Sequence, residues 1–144
     1  MKRIITACIL LAFGSVAVSA DSDAIAQRRD LMKANGKSVK LLVDMLKGAP
    51  FDLTTVQTSL KTFGNAAEKM PKLFPEDSKT GGDTHALPAI WENKADLDAR
   101  FAKFGTDSSA ALKSITNEAS FKANIKPVLD NCGGCHEHYK AKSG

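Results

Sequence analysis

Aromatic residues are scarce in this sequence: seven Phe, one Tyr and one Trp make up 6% of its 144 residues. No basic cluster with interleaved aromatics is present, so the usual footprint of a nucleic-acid binder is missing. Charge of one sign is also in short supply, with 20 Lys and Arg against 16 Asp and Glu for a net +4. Lys2 and Arg3 alone account for two of those charges, and the remaining balance argues for no nucleic-acid partner. No stretch alternates apolar and polar residues as a half-buried strand would, and there is neither repeat nor low-complexity tract. No activated nucleophile or acid/base pair stands out, so nothing points to bond-making catalysis.

Cysteine is rare, and one of the three lies in a segment that reads as a secretion signal. Lys2 and Arg3 form a basic start, Ile4 to Val18 a mostly apolar stretch, and Val18-Ser19-Ala20 a small-residue cleavage site. The stretch is interrupted by Thr6, Gly14 and Ser15 and falls short of the roughly 20 residues that span a bilayer. Residues 1–20 are therefore expected to be cleaved, Cys8 with them, leaving one domain at 21–144 with no membrane span.

What the remainder does contain is helical periodicity. Four segments carry apolar residues at steps of three and four. The first runs Ile25, Arg28, Met32, Asn35, Val39, Leu42, Leu46 and stops before Gly48-Ala49-Pro50. The second reads Val56, Leu60, Phe63, Ala67, Met70 and ends at Pro71, which cannot donate a helix hydrogen bond. A long loop to Leu87 is expected to pack through Leu73 and Phe74. The third opens near Pro88 and continues through Leu97, Phe101 and Phe104 to Ile115, with Gly105 expected to bend or end it. The fourth reads Phe121, Ile125, Val128, Cys132, Cys135, Tyr139, with a kink at Pro127. Four consecutive helices of this size most simply form an all-α antiparallel four-helix bundle.

The fourth segment carries the chemistry. Cys132-Gly-Gly-Cys135-His136 has the spacing that attaches c-type haem: each thiol adds across one vinyl group and the histidine becomes the proximal iron ligand. One helical turn separates the cysteines, so both face one ring edge. Two other readings remain open at this stage. A redox-active cysteine pair belongs in a fold with a sheet, near a helix start. A zinc site needs two more ligands, for which His85 and His138 are the only other histidines.

For the opposite ring face, Met32 on the first helix is a candidate sixth ligand, since a thioether can bind haem iron; methionine is also a common core filler. Met45 and Met70 are weaker candidates. Arg28 lies one turn before Met32 on the same face. A buried cation there needs a partner, which a haem propionate would supply in bidentate geometry, unless the side chain snorkels out of the bundle end. Arg29 takes that role if the helix is rotated. His85 is expected to be an exposed loop residue, His138 solvated, and Tyr139 and Trp91 packed in the core or at the haem edge.

These motifs resemble one family. The terminal CGGCH followed by EHYK, RRDLMKANG in the first helix and GGDTHALPAIWENKADLDARFAKF in the third are together similar to class II cytochrome c, the family of cytochrome c prime. EKMPKLFPEDS and Pro127 resemble its low-spin cytochrome c-556 branch. The resemblance implies a four-helix bundle with one covalent haem c on Cys132, Cys135 and His136. It matches Arg28 to the propionate-binding arginine and Met32 to the position facing the sixth coordination site. It further implies a periplasmic electron carrier, not an enzyme, exchanging single electrons with periplasmic redox proteins as a monomer or homodimer. The alternative within the family is a high-spin protein that leaves the sixth position to nitric oxide or carbon monoxide.

Overall fold

The computed structural model describes residues 20–142, so the secretion-signal reading and Cys8 lie outside the described residues, apart from the backbone of Ala20. Helix α1 spans Ala20–Leu46. It stops where Gly48 takes φ 108°, a left-handed conformation that glycine adopts without penalty. Helix α2, Leu53–Lys69, starts at Asp52, whose carboxylate accepts hydrogen bonds from the Thr54 and Thr55 amides. It gives way to a single 3-10 turn at Met70–Lys72 that contains Pro71.

The long connection then makes a second 3-10 turn at Glu76–Ser78. It packs inward through Leu73 and Phe74, as their apolar side chains require. The third periodic segment opens at Pro88 as expected but comes in two pieces, α3 at Ala89–Glu92 and α4 at Lys94–Ser114, separated by a non-helical Asn93. Gly105 does not end α4, which continues to Ser114. The fourth segment is also divided, into α5 at Glu118–Asn124 and α6 at Lys126–Tyr139. Pro127 sits in the first turn of α6, so the chain restarts its helix where a proline costs no hydrogen bond, rather than kinking through it. An Asn117–Ser120 capping box opens α5.

The result is an all-α, antiparallel four-helix bundle in which α1 packs on α2, α2 on α4 and α4 on α6. Among the described residues α1 and α6 share almost no direct packing. Two apolar clusters fill the interior. One, at the end away from the cysteines, is built on Leu42, Leu60, Phe63, Phe104, Phe121 and Ile125. The other gathers Ala66, Met70, Ile90, Leu97, Phe101 and Tyr139, with Met32 and Cys135 partly buried against it. Beyond α6 the chain pairs back on the loop: the Ala141 amide donates to the His85 carbonyl at 2.8 Å and the Leu87 amide to the Tyr139 carbonyl at 3.0 Å. None of the described helices is long and apolar enough to cross a membrane.

Candidate cofactor site

Between α1 and α6, where the bundle's fourth side is open, lies an apolar cleft of about 150 Å³. Its walls bring together residues far apart in sequence: Arg28 and Met32 from α1, Met70, Ile90, Leu97 and Phe101 from the middle of the chain, and Cys135, His136 and Tyr139 from α6. Four of the five site residues expected from the sequence thus meet on one cavity. Cys132 does not line it; it stands one turn earlier on α6, half-buried.

Both thiols are free, and burial raises the pKa of each. A redox-active pair needs the opposite, a thiolate stabilised by its surroundings. Among the described residues no group of three or more His, Cys, Asp or Glu is placed to hold a metal ion, so the zinc reading finds no third and fourth ligand. The imidazole of His136 stands at the cleft mouth. It remains partly open to solvent, yet the packing around it, and secondarily the charge of Lys140, lowers its pKa and favours the neutral ring that binds metal.

Arg28 is buried, 6% exposed, and snorkelling is thereby excluded. The partner the structure shows for this cation is the α2–α3 loop. One terminal nitrogen donates to the Leu73 carbonyl and to Ser78 Oγ, each at 2.7 Å; the other donates to the Ser78 carbonyl at 3.1 Å and to Thr84 Oγ1 at 3.0 Å. The guanidinium also lies 4.8 Å from the Phe74 ring centroid. Arg29 points outward to Asp83, 2.9 Å away, at the rim. The bidentate fork expected from the sequence is thus engaged by backbone and hydroxyl oxygens. Burial lowers the pKa of Arg28, but a guanidinium stays charged.

Of the other methionines, Met70 lines the cleft, almost wholly buried at 2% exposure, and Met45 belongs to the far cluster. Trp91 is partly buried outside the cleft, donating from Nε1 to the Phe74 and Pro75 carbonyls. His85 is exposed as expected but also reaches the cleft wall, while His138 is exposed against the edge of Tyr139.

Asp96 and Arg100 are residues that sequence reasoning missed. The Arg100 guanidinium donates to Asp96 at 2.6 Å and to the carbonyl of Gly134, between the two cysteines, at 2.8 Å. An Asp-x-x-x-Arg spacing on a helix was the available signal, but it looks like any surface pair of this chain until the fold brings α6 alongside.

The arrangement is an apolar cleft with one free thiol on its wall and a second one turn earlier, an imidazole beside them and a thioether on the opposite helix. Comparison with known proteins agrees. A family model described as cytochrome c' matches residues 23–140. A cytochrome c' from Rhodopseudomonas palustris is 49% identical over 141 residues, 97% of each chain. Cytochrome c-556 from Agrobacterium fabrum is 37% identical over 97% of this chain and 96% of its own. Among solved structures, cytochrome c' from Rhodopseudomonas palustris superposes with a TM-score of 0.82 at 50% identity, covering 85% of this chain and 98% of that one. The structural model of cytochrome c556 from the same organism gives 0.76 at 32% identity, over 85% and 99%. A match to nearly the whole bundle, with fold and sequence in agreement, places this chain in the cytochrome c' family, the class II c-type cytochromes, with one covalently attached haem c as its cofactor.

Proposed function

We infer that this protein is a periplasmic carrier of single electrons and not an enzyme, exported by the signal read in residues 1–20. The haem, when bound, supplies one iron that cycles between two oxidation states. Cys132 and Cys135 hold it through thioethers and His136 provides the proximal ligand. Met32 provides the sixth ligand and closes the site in a low-spin state. The observation that carries this reading is the cleft itself, which Met32 and His136 line from helices that barely touch each other. Met70 shares the cleft but is packed into the core cluster, whereas Met32 is only partly buried. Arg28 places a cation on the wall for a propionate, through its charge and its Nε–H, since its terminal nitrogens serve the loop. Electron donor and acceptor are other periplasmic redox proteins that approach the open mouth of the cleft.

A second reading has an observation of its own: identity to a relative named cytochrome c' reaches 49%, above the 37% to one named cytochrome c-556. In that reading Met32 packs against the haem without ligating it and the sixth position accepts nitric oxide or carbon monoxide. Visible spectra of the purified protein, oxidised, reduced and reduced with carbon monoxide, decide between them. The carrier reading expects split low-spin bands, a weak far-red sulfur-to-iron band in the oxidised form and little response to carbon monoxide. It also expects Met32→Leu, and not Met70→Leu, to abolish that far-red band. Broad high-spin bands that shift with carbon monoxide overturn it in favour of gas binding.

A further inference from the structure

Helix α4 runs beside the cysteine-bearing helix and grips it at three points around the attachment turn. Asp107 accepts a hydrogen bond at 2.7 Å from the side-chain amide of Asn131, the residue before Cys132. Arg100 donates at 2.8 Å to the carbonyl of Gly134, within the CGGC run. Asp96 accepts at 2.5 Å from the hydroxyl of Tyr139, just beyond His136. The first and last contacts resemble ordinary helix-to-helix bonds, but the middle one is unusual, because a helical carbonyl uses its second lone pair to accept from a guanidinium. Arg100 is itself held in place, its Nε donating to Asp96 at 2.6 Å and its Cζ lying 5.7 Å from the Tyr139 ring centroid. Pairs such as Lys40–Asp44, Lys122–Glu118 and Lys126–Asp130 join only residues of their own helix.

We propose that Arg100 and Asp96 are positioning residues for the haem: they fix the Cys132–His136 turn and, as opposite charges beside it, set the reduction potential in opposed directions. The proposal rests on the haem reading above. Both charges stand at the attachment turn, Arg100 on the Gly134 carbonyl and Asp96 on the Tyr139 hydroxyl. A cation beside the iron disfavours the oxidised state, which carries one more positive charge; an anion favours it. Removing Arg100 therefore lowers the potential and removing Asp96 raises it. A purely mechanical role would not give opposed signs, because either loss loosens the same turn. The two side chains remain 33% and 37% exposed, so solvent screens the effect and salt weakens it further.

The test is a spectroelectrochemical titration of the mature holoprotein and of its Arg100→Gln, Arg100→Lys and Asp96→Asn variants, at low salt and at about 1 M salt, where the screening length falls to roughly 3 Å. The expected result is a fall for Arg100→Gln and a rise for Asp96→Asn, each changing the reduced-to-oxidised ratio roughly two- to tenfold, or about 20–60 mV for one electron. Both shifts shrink at high salt, and Arg100→Lys, which keeps the charge, stays near the parent. Shifts of the same sign, or none at low salt, overturn the proposal. If Arg100→Gln does not accumulate as a haem protein, the other two decide: a potential that fails to rise in Asp96→Asn, or falls in Arg100→Lys as far as loss of the charge predicts, refutes it. A parent protein that shows no haem spectrum fails the underlying reading, a distinguishable result.

Discussion

Replacing Arg28 with glutamine removes a buried cation that donates four hydrogen bonds to the α2–α3 loop and stacks on Phe74. Hydrogen bonds to a charged group contribute about 1.5–3 kcal/mol each, but they are not additive, and the acceptors left behind in the interior cost about 1–3 kcal/mol apiece if water does not reach them. The Leu73 and Ser78 carbonyls are the acceptors that lose their partner, since Ser78 Oγ keeps its own bond to the Pro75 carbonyl at 2.9 Å. Two carbonyls left without a partner together cost roughly 2–6 kcal/mol, a large fraction of the ~5–15 kcal/mol that holds a domain together. We expect Arg28→Gln to lose that much in urea unfolding followed by far-UV circular dichroism, with amide exchange in residues 73–88 accelerating most. Arg28→Lys should recover little, because one ammonium group cannot span acceptors on Leu73, Ser78 and Thr84. A loss below about 1 kcal/mol with unchanged loop exchange, or full rescue by lysine, would refute the reasoning.

Two further outcomes follow from local geometry. A Cβ built at Gly64, inside α2, meets nothing within 4 Å, whereas one at Gly105 comes to 3.3 Å from the Ala67 Cβ. Gly64→Ala should therefore raise stability by about 0.5–1 kcal/mol, and Gly105→Ala should gain less or lose, as read from paired thermal melts; equal gains would contradict the packing of α2 on α4. Asp107 has its pKa lowered by the hydrogen bond from Asn131 first and by Lys103 second, with burial opposing both. A carboxylate depressed on folding stabilises above its unfolded pKa of about 3.9 and loses that contribution as pH falls through the folded value. The stability gap between the parent and Asp107→Asn should accordingly narrow on acidification from about pH 5 towards pH 2; a gap independent of pH would show that the ionised carboxylate is not what matters.

Much of this was legible before any coordinates, for definite physical reasons. The helical stripes followed from side chains that must be buried at steps of three and four, and α1 and α2 end at the glycine and proline that interrupt their ladders. Divisions at Asn93 and Ile125 were less legible. Asn93 is no obligatory helix breaker, and a proline such as Pro127 fits equally well as a kink within a helix or in a first turn, where no amide partner is lost. Arg28 was recognised as a cation in need of a partner, but its partners lie 45 to 56 residues further along the chain, and nothing in a linear stripe marks Ser78 or Thr84 as acceptors.

By itself the sequence determined the spacing of Cys132, Cys135 and His136, a local arrangement that brings two thiols and an imidazole together once the segment is helical. It also determined that the chain is helical, since periodicity is a property of neighbours along the chain. Only the tertiary structure decided which methionines reach the cleft, that the Arg28 fork is committed to a loop, and that Arg100 and Asp96 flank the attachment turn. Those relations depend on the rotation of each helix about its axis and on which helices lie side by side, and these are settled by packing of the whole core rather than by any short stretch of residues.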